Sequence, residues 1–329
     1  MTSPAPEVVT HDDVVVQRAD GREDLARAAD LLDRAESATG TPLVDEAERD
    51  RLARALDGPH LADEGWHPAL ASRAGQLVGY VAVVVARDGE AIGDAAVEAD
   101  GDGLVVLEAL LAGAVELAER AGAATLQVWT RRAGEPEVEA AHAQGFEVAR
   151  RLAVLGRGLG AALPPAPTSS ATVRTYRPGT DDEAVVEVLA AAYAGTEEAG
   201  WDLDRFRART RLPWFRAGDL LVAELAPAEP DPGDYEPMLA GLHWLKRRDE
   251  RTGEVYNLAV HPDAQGRGVG PLLLHAGLAH LREQGCDDVI LWVDLANEPA
   301  VRLYAAQGFA TRWEDLALYR TLRGSAPRR

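Results

Sequence analysis

Two kinds of hydrophobic pattern run along this chain, and they recur in the same order twice. Short apolar runs of strand length occur at "DVVVQRA" from Asp13, "LVGYVAVVVA" (Leu77 to Ala86) and "EAIGDAAVEA" from Glu90. Runs of the same kind return at "TVRTYRP" from Thr172, "LLVAEL" from Leu220, "PMLAGLHWLK" from Pro237 and "EVYNLAVHP" from Glu254. Helical spacing appears between them, as in "EAVVEVLAAAYA", which Asp181 or Asp182 can cap. In each half the strands give way to a helix, a strand, a second helix and a final strand. Strands joined through crossover helices imply parallel pairing near the end of an otherwise mostly antiparallel, mixed sheet flanked by helices.

The halves are copies of one domain. "WTRRAGEPEVEAAHAQGF" (Trp129 to Phe146) aligns without gaps to "WVDLANEPAVRLYAAQGF" (Trp292 to Phe309), an offset of 163 residues. That period is too long for a solenoid repeat. A stretch rich in Gly, Pro, Ser and Ala, "GRGLGAALPPAPTSSAT", has no apolar period and reads as a linker. The expected organisation is α/β: a first domain over 1–156, a linker over 157–172 and a second domain over 173–329.

Composition narrows the partners. The chain has 329 residues, 47% of them hydrophobic, enough for two cores. A net charge of −20 argues against a nucleic-acid or anionic-membrane surface. The N-terminus shows no signal-peptide pattern, and no apolar run is long enough to span a bilayer, so a cytoplasmic protein is expected; it is taken to be a monomer. One cysteine, Cys286, excludes an internal disulfide and a cysteine-rich metal site, and no metal is expected. The 34 basic residues include a single lysine, Lys246.

The densest chemistry lies in "VHPDAQGRGVGPLLLHAGLAHL" (Val260 to Leu281), where three glycines precede a helical periodicity. Unpaired amides at a helix start favour an anion, and glycines let a phosphate approach them. A P-loop would need a Gly-Lys-Ser/Thr ending. A dinucleotide fingerprint would need glycine where Pro271 stands. What remains is Gln265-x-x-Gly268-x-Gly270, which resembles the pyrophosphate loop of the GCN5-related N-acetyltransferases (GNATs), enzymes that use acetyl-coenzyme A. The later run Asn297-x-x-Ala300-x-x-x-Tyr304-x-x-x-Gly308-Phe309 resembles a second motif of that family.

The resemblance implies two tandem acyl-CoA N-acyltransferase (GNAT-like) domains and a set of roles. Leu258, Ala259 and Val260, on a strand that typically bulges in the family, would contact the coenzyme and polarise its thioester carbonyl. Gln265, Gly266, Arg267, Gly268, Val269, Gly270 and Pro271 would hold the pyrophosphate. Asn297, Glu298, Pro299, Ala300, Val301 and Arg302 would hold the pantetheine arm. Tyr304 would protonate the leaving thiolate. Glu254, placed at the start of the strand before the loop, would take the proton that the attacking amine must lose, directly or through water.

Within the superfamily, "AGLHWLKRRDERTGEVYNLAVHPDAQGRGVG" and the "WVDLANEPAVRLYAAQGF" run resemble the mycothiol synthase family, tandem acetyltransferases acting on the cysteinyl amine of cysteinyl-glucosaminyl-inositol. Carried over by position, Lys246 and Glu254 resemble that family's substrate contacts, and Glu46 and Glu197 its further substrate carboxylates. "GTEEAGW" leaves Glu197 and Glu198 as alternatives. Trp292 stands where the family has a substrate-touching tyrosine; an indole can stack or donate but cannot accept.

In the first half, "VEADGDGL" replaces the cradle, and its Asp100 and Asp102 would repel a pyrophosphate. Ala141 replaces the tyrosine and Gly134 the asparagine, so this half is expected to have lost catalysis and strong coenzyme binding. The leading reading is an acetyltransferase with one site, in the second half, acting on a small-molecule amine. An acetyltransferase for another amine and a non-catalytic acyl-CoA-binding module stay open beside it.

Overall fold

The computed structural model describes residues 8–58, 65–98, 103–160, 162–196, 199–226 and 237–322. In chain order the first repeat contributes β1 (Val8–His11), β2 (Val14–Arg18), α1 (Arg22–Thr39), α2 (Glu46–Asp57), β3 (Trp66–Arg73), β4 (Gln76–Val85), β5 (Glu90–Val97), α3 (Gly103–Arg120), β6 (Thr125–Ala133), α4 (Glu135–Ala143) and β7 (Glu147–Gly158). The second contributes β8 (Ala171–Thr175), α5 (Asp182–Ala192), α6 (Leu203–Thr210), β9 (Leu220–Leu225), β10 (Met238–Arg247), β11 (Thr252–Val260), α7 (Val269–Glu283), β12 (Asp288–Asp294), α8 (Glu298–Ala306) and β13 (Ala310–Thr321). β6, α4 and β7 begin 163 residues before β12, α8 and β13, matching the internal repeat. No helix among the described residues is long and apolar enough to cross a membrane.

The chain forms two compact units, and they are out of step with the repeats by one strand. The first holds the residues up to Leu152 and takes back those from Trp313 onward; the second runs from Ala153 to Arg312. β13 explains the return, because it pairs antiparallel with β6, from Glu314 opposite Ala133 to Thr321 opposite Thr125. The second unit in turn uses the end of β7, whose Ala153 and Leu155 join its core. The expected boundary at 156, with a second domain running to the C-terminus, differs from these units by the exchange of the last strand. Pattern alone cannot reveal the exchange, because both strands carry equivalent apolar faces.

Each unit is a mixed sheet with helices on both faces. In the first, β1 to β5 pair antiparallel in succession and β5 pairs parallel with β6. The apolar stripe of α3 (Leu107, Leu110, Leu111, Ala114) packs on one face, with Val81, Val83, Leu126 and Leu318. α1 and α2 cover the other face over Tyr80, Leu70 and Trp66. In the second unit, β8 to β11 pair antiparallel and β11 pairs parallel with β12. Leu274, Leu278 and Leu281 of α7 pack on Val289, Leu291 and Val293, while α5 and α6 cover Trp244, Val222 and Leu242. Each fully buried leucine in these faces contributes about 1.5–3 kcal/mol.

One expected cap is met differently. Asp181 occupies the N-cap of α5 without a side-chain cap bond. Its carboxylate instead accepts from Arg174, at 2.6 and 3.0 Å, and from Arg177. These cations hold its carboxyl down at about 2, against the opposing effect of burial. Asp182 accepts from the Gly179 amide at 2.7 Å and the Tyr176 hydroxyl at 2.6 Å.

Candidate active site

Two neighbouring strands part in the second unit, and the candidate residues gather where they do. β11 and β12 pair only through Thr252–Glu254 and Asp288–Ile290, although β11 continues to Val260 and β12 to Asp294. Past Glu254, the β12-facing edge of β11 is therefore unpaired, and its polar backbone groups can meet a ligand. In the first unit the equivalent pair stays joined for longer, from Glu90–Thr125 to Ala95–Thr130.

Leu258, Ala259 and Val260 lie beyond the parting point, but they are not the bulge. They pair regularly with His243, Leu242 and Gly241 of β10. The irregularity falls earlier, at Tyr256: Trp244 pairs with Asn257 and Leu245 with Val255. The extra residue twists the strand just after Glu254. The strand itself starts at Thr252, so Glu254 sits inside it and is buried rather than occupying an exposed strand end.

Val260 leads through a 3-10 turn at Pro262–Ala264 into the glycine loop. Gln265, Gly266 and Arg267 are exposed, and Gly266 and Gly268 take left-handed φ of 74° and 76°. Gly268 is the N-cap of α7 and has no side chain to pair with the first amides of the helix. Pro271, in that first turn, lacks the N–H that would in any case be unpaired. The loop is braced from behind: the Ser169 hydroxyl donates to the Arg267 carbonyl at 3.0 Å. These open, positively polarised amides beside a parted strand pair fit a coenzyme A pyrophosphate.

On the sheet face under α5 and α6, Lys246 stands directly opposite Glu254 across β10 and β11. The Lys246 ammonium lies 4.8 Å from the Trp214 ring centre and 5.8 Å from that of Tyr256. Tyr256 packs against Trp214 and Trp244 at 4.8 and 5.3 Å. Arg248 Nη1 donates to Glu254 Oε2 at 2.9 Å, and the guanidinium lies 5.3 Å from the ring centre of Trp292. This aromatic and cationic surround was missed by the sequence reading. Trp214, Tyr256 and Arg248 are far from one another or from Trp292 in the sequence, and no motif marks them.

Tyr304 approaches from the opposite face, buried in the cluster with Leu291, Val293 and Leu274. Its ring meets Phe309 edge-on at 5.7 Å. Burial pushes its phenol well above the ordinary range, so it holds its proton. Asn297 caps α8 by accepting from the Ala300 amide at 3.2 Å, which leaves its NH2 group to donate. Pro299 lies in the first turn and Val301 is partly buried against the core, while Glu298 and Arg302 are exposed and pair with each other at 2.8 Å.

Glu46 is an exposed first-turn residue of α2 in the first unit. Glu197 and Glu198 lie outside the described residues, as do Asp100 and Asp102. In the first unit, Ile92 pairs with Gln127 in the parallel register that Glu254 and Ile290 occupy in the second, so an alkyl group replaces the carboxylate. Ala141 is buried where Tyr304 would stand. Arg131 there bridges Asp94 at 3.2 Å and Asp315 at 3.5 Å.

A sequence profile of the Acetyltransferase (GNAT) family matches residues 189–309. The chain is 33% identical over 315 residues to the mycothiol acetyltransferase of Catenulispora acidiphila, covering 92% of this chain and 96% of that one. The chain belongs to the mycothiol acetyltransferase family. Membership makes it an acetyltransferase, with the fold of the GNATs in tandem. A GCN5-related N-acetyltransferase from Sphaerobacter thermophilus superposes with a TM-score of 0.70 at 21% identity, over 96% of this chain and 98% of that one. A tandem GNAT protein from the clavulanic acid biosynthesis pathway superposes at 0.62 with 18% identity, over 97% and 100%.

Proposed function

We propose that the second unit transfers the acetyl group of acetyl-CoA to the cysteinyl amine of cysteinyl-glucosaminyl-inositol, giving mycothiol. The observation that carries this is a buried carboxylate, Glu254, at the point where β11 and β12 part, with a lysine opposite it. The neutral amine attacks the thioester carbonyl carbon, its N–H proton passes to Glu254 directly or through water, and the C–S bond breaks. Tyr304 donates its O–H proton to the departing thiolate. Leu258 to Val260, the loop from Gln265 to Pro271 and the stretch from Asn297 to Arg302 hold acetyl-CoA.

Lys246 and Trp292 meet the hydroxyl-rich acceptor, with Glu46 and Glu197 or Glu198 as further carboxylates. The first unit, with Ile92 in the register of the base and Ala141 in place of the acid, serves as scaffold. No metal takes part, and the enzyme works as a cytoplasmic monomer with neither nucleic acid nor membrane as partner.

The test is thiol release from acetyl-CoA with cysteinyl-glucosaminyl-inositol, comparing wild type, Glu254→Gln and Tyr304→Phe. Turnover by wild type with loss in both variants is expected. Turnover only on a different amine would overturn the acceptor. Undiminished rates in both variants would overturn the proton-transfer roles.

A further inference from the structure

The cation beside Glu254 has no part in the chemistry just described, yet its geometry is specific. Arg248 Nη1 bonds the Glu254 carboxylate at 2.9 Å, and the same guanidinium lies against the face of Trp292, 5.3 Å from the ring centre. Trp292 lies on β12 two residues after Ile290, the strand partner of Glu254, so it stands on the same sheet face just past the parting point. The arginine thus spans the opening: it leaves the turn after β10, rests on an aromatic of β12 and ends on the carboxylate of β11.

We propose that Arg248, clamped by Trp292, is a positioning residue that fixes the orientation of the Glu254 carboxylate and sets the pH at which it can act as a base. This rests on the reading of Glu254 as the base. A guanidinium donates from a planar fork and stacks on an aromatic face, so an indole suits it as a support. A carboxylate with one oxygen held by Arg248 presents its other oxygen in a defined direction. A positive charge at hydrogen-bond distance also favours the ionised form, the form that can accept a proton.

Lys246, opposite Glu254 on β10, places its ammonium over Trp214 and Tyr256. On the β12 side the neighbour is Ile290, which is apolar. Tyr256 lies two residues along the strand, within the aromatic group. Asp249 follows Arg248 in the turn, but its carboxylate accepts from the Arg251 and Thr252 amides at 2.7 Å. Tyr304 is packed in the core on the opposite sheet face. The proposal also gives a reason for an indole at position 292: it supports the arginine rather than reproducing a tyrosine's hydroxyl.

The experiment follows two readouts in wild type, Arg248→Gln and Trp292→Leu. One is the pH profile of kcat/KM with cysteinyl-glucosaminyl-inositol. The other needs no acceptor: the titration of the Glu254 carboxyl by carbon-13 NMR, assigned by difference from Glu254→Gln. In Arg248→Gln both the acid limb and the NMR titration move up by about one pH unit, with the KM for acetyl-CoA unchanged. Trp292→Leu gives a smaller shift in the same direction, and the double variant shifts no further than Arg248→Gln. A rate loss in Arg248→Gln with an unmoved NMR titration overturns the proposal. A moved titration in an enzyme that does not turn over this acceptor upholds it and overturns the acceptor assignment instead.

Discussion

Lys246 and Glu254 stand directly opposite one another on adjacent antiparallel strands, so the chain's one lysine faces its candidate base. The lysine ammonium lies over an aromatic floor of Trp214 and Tyr256. That floor suits a compact ammonium; a guanidinium is longer, planar and differently hydrated. Lys246→Arg should therefore raise the acceptor KM about tenfold, a loss of about 1.4 kcal/mol, while the acetyl-CoA KM stays within about twofold. Steady-state kinetics with each substrate varied in turn checks this, and equal effects on both would remove Lys246 from the acceptor site.

Tyr304→Phe keeps the edge-on contact with Phe309 and removes only the hydroxyl. Thermal stability should change little, while kcat falls on the order of 10²-fold. The pH dependence has a definite sign. A general acid works in its protonated form, and burial raises the Tyr304 phenol above its ordinary value. It therefore stays protonated up to a pH of about 10, the unperturbed tyrosine value, and causes no alkaline loss of rate below that. A pH–rate profile falling near pH 8 in wild type and flat in Tyr304→Phe would contradict this.

The motifs that could be read from sequence are those whose function lies in local backbone and spacing. The glycine loop, the helix after it and the repeat of β6, α4 and β7 in β12, α8 and β13 are of this kind. Legibility stopped where residues far apart meet. Arg248 and Trp292 are 44 positions apart, and only the parallel pairing of β11 with β12 brings them together. The bulge moved to Tyr256 because one extra residue between two paired strands leaves no compositional trace. The exchange of β7 and β13 was equally hidden, since two copies of one strand fit either sheet.

Two glycines of the cradle separate backbone strain from ligand clearance. At Gly268 the φ is 76°, and an added Cβ would lie 2.9 Å from the Thr168 carbonyl oxygen. At Gly270 a Cβ would meet only Val260 and Leu303 methyls, at 3.6 and 3.7 Å, ordinary contact distances. Gly268→Ala should lower stability by about 1–2 kcal/mol and raise the acetyl-CoA KM. Gly270→Ala should leave the melting temperature nearly unchanged and still raise that KM, because the added methyl lies in the first turn of the helix where the pyrophosphate is proposed to bind. Thermal melts beside acetyl-CoA titrations decide it; unaltered coenzyme affinity in Gly270→Ala would move the pyrophosphate away from this helix start.

The two units should respond to pH with opposite sign. In the first, burial raises the Asp94 carboxyl to about 7, and Arg131 only partly offsets this. The folded unit thus binds a proton that the unfolded chain releases near pH 4. Stability is full below that pH and is lost as pH rises to about 7, by at most about 4 kcal/mol. Glu48 is raised by burial too and adds to the same trend. In the second unit His243 is fully buried, its Nδ1 within 2.8 Å of the Leu273 carbonyl, and burial lowers it to about 4. Here the unfolded chain gains a proton below about pH 6.5 that the folded unit refuses, so stability falls as pH drops from there to about 4. Hydrogen exchange followed separately in each unit between pH 4 and 8 should show the first loosening upward and the second downward. Asp94→Asn should flatten most of the first slope and His243→Gln the second, and parallel slopes in the two wild-type units would exclude both assignments.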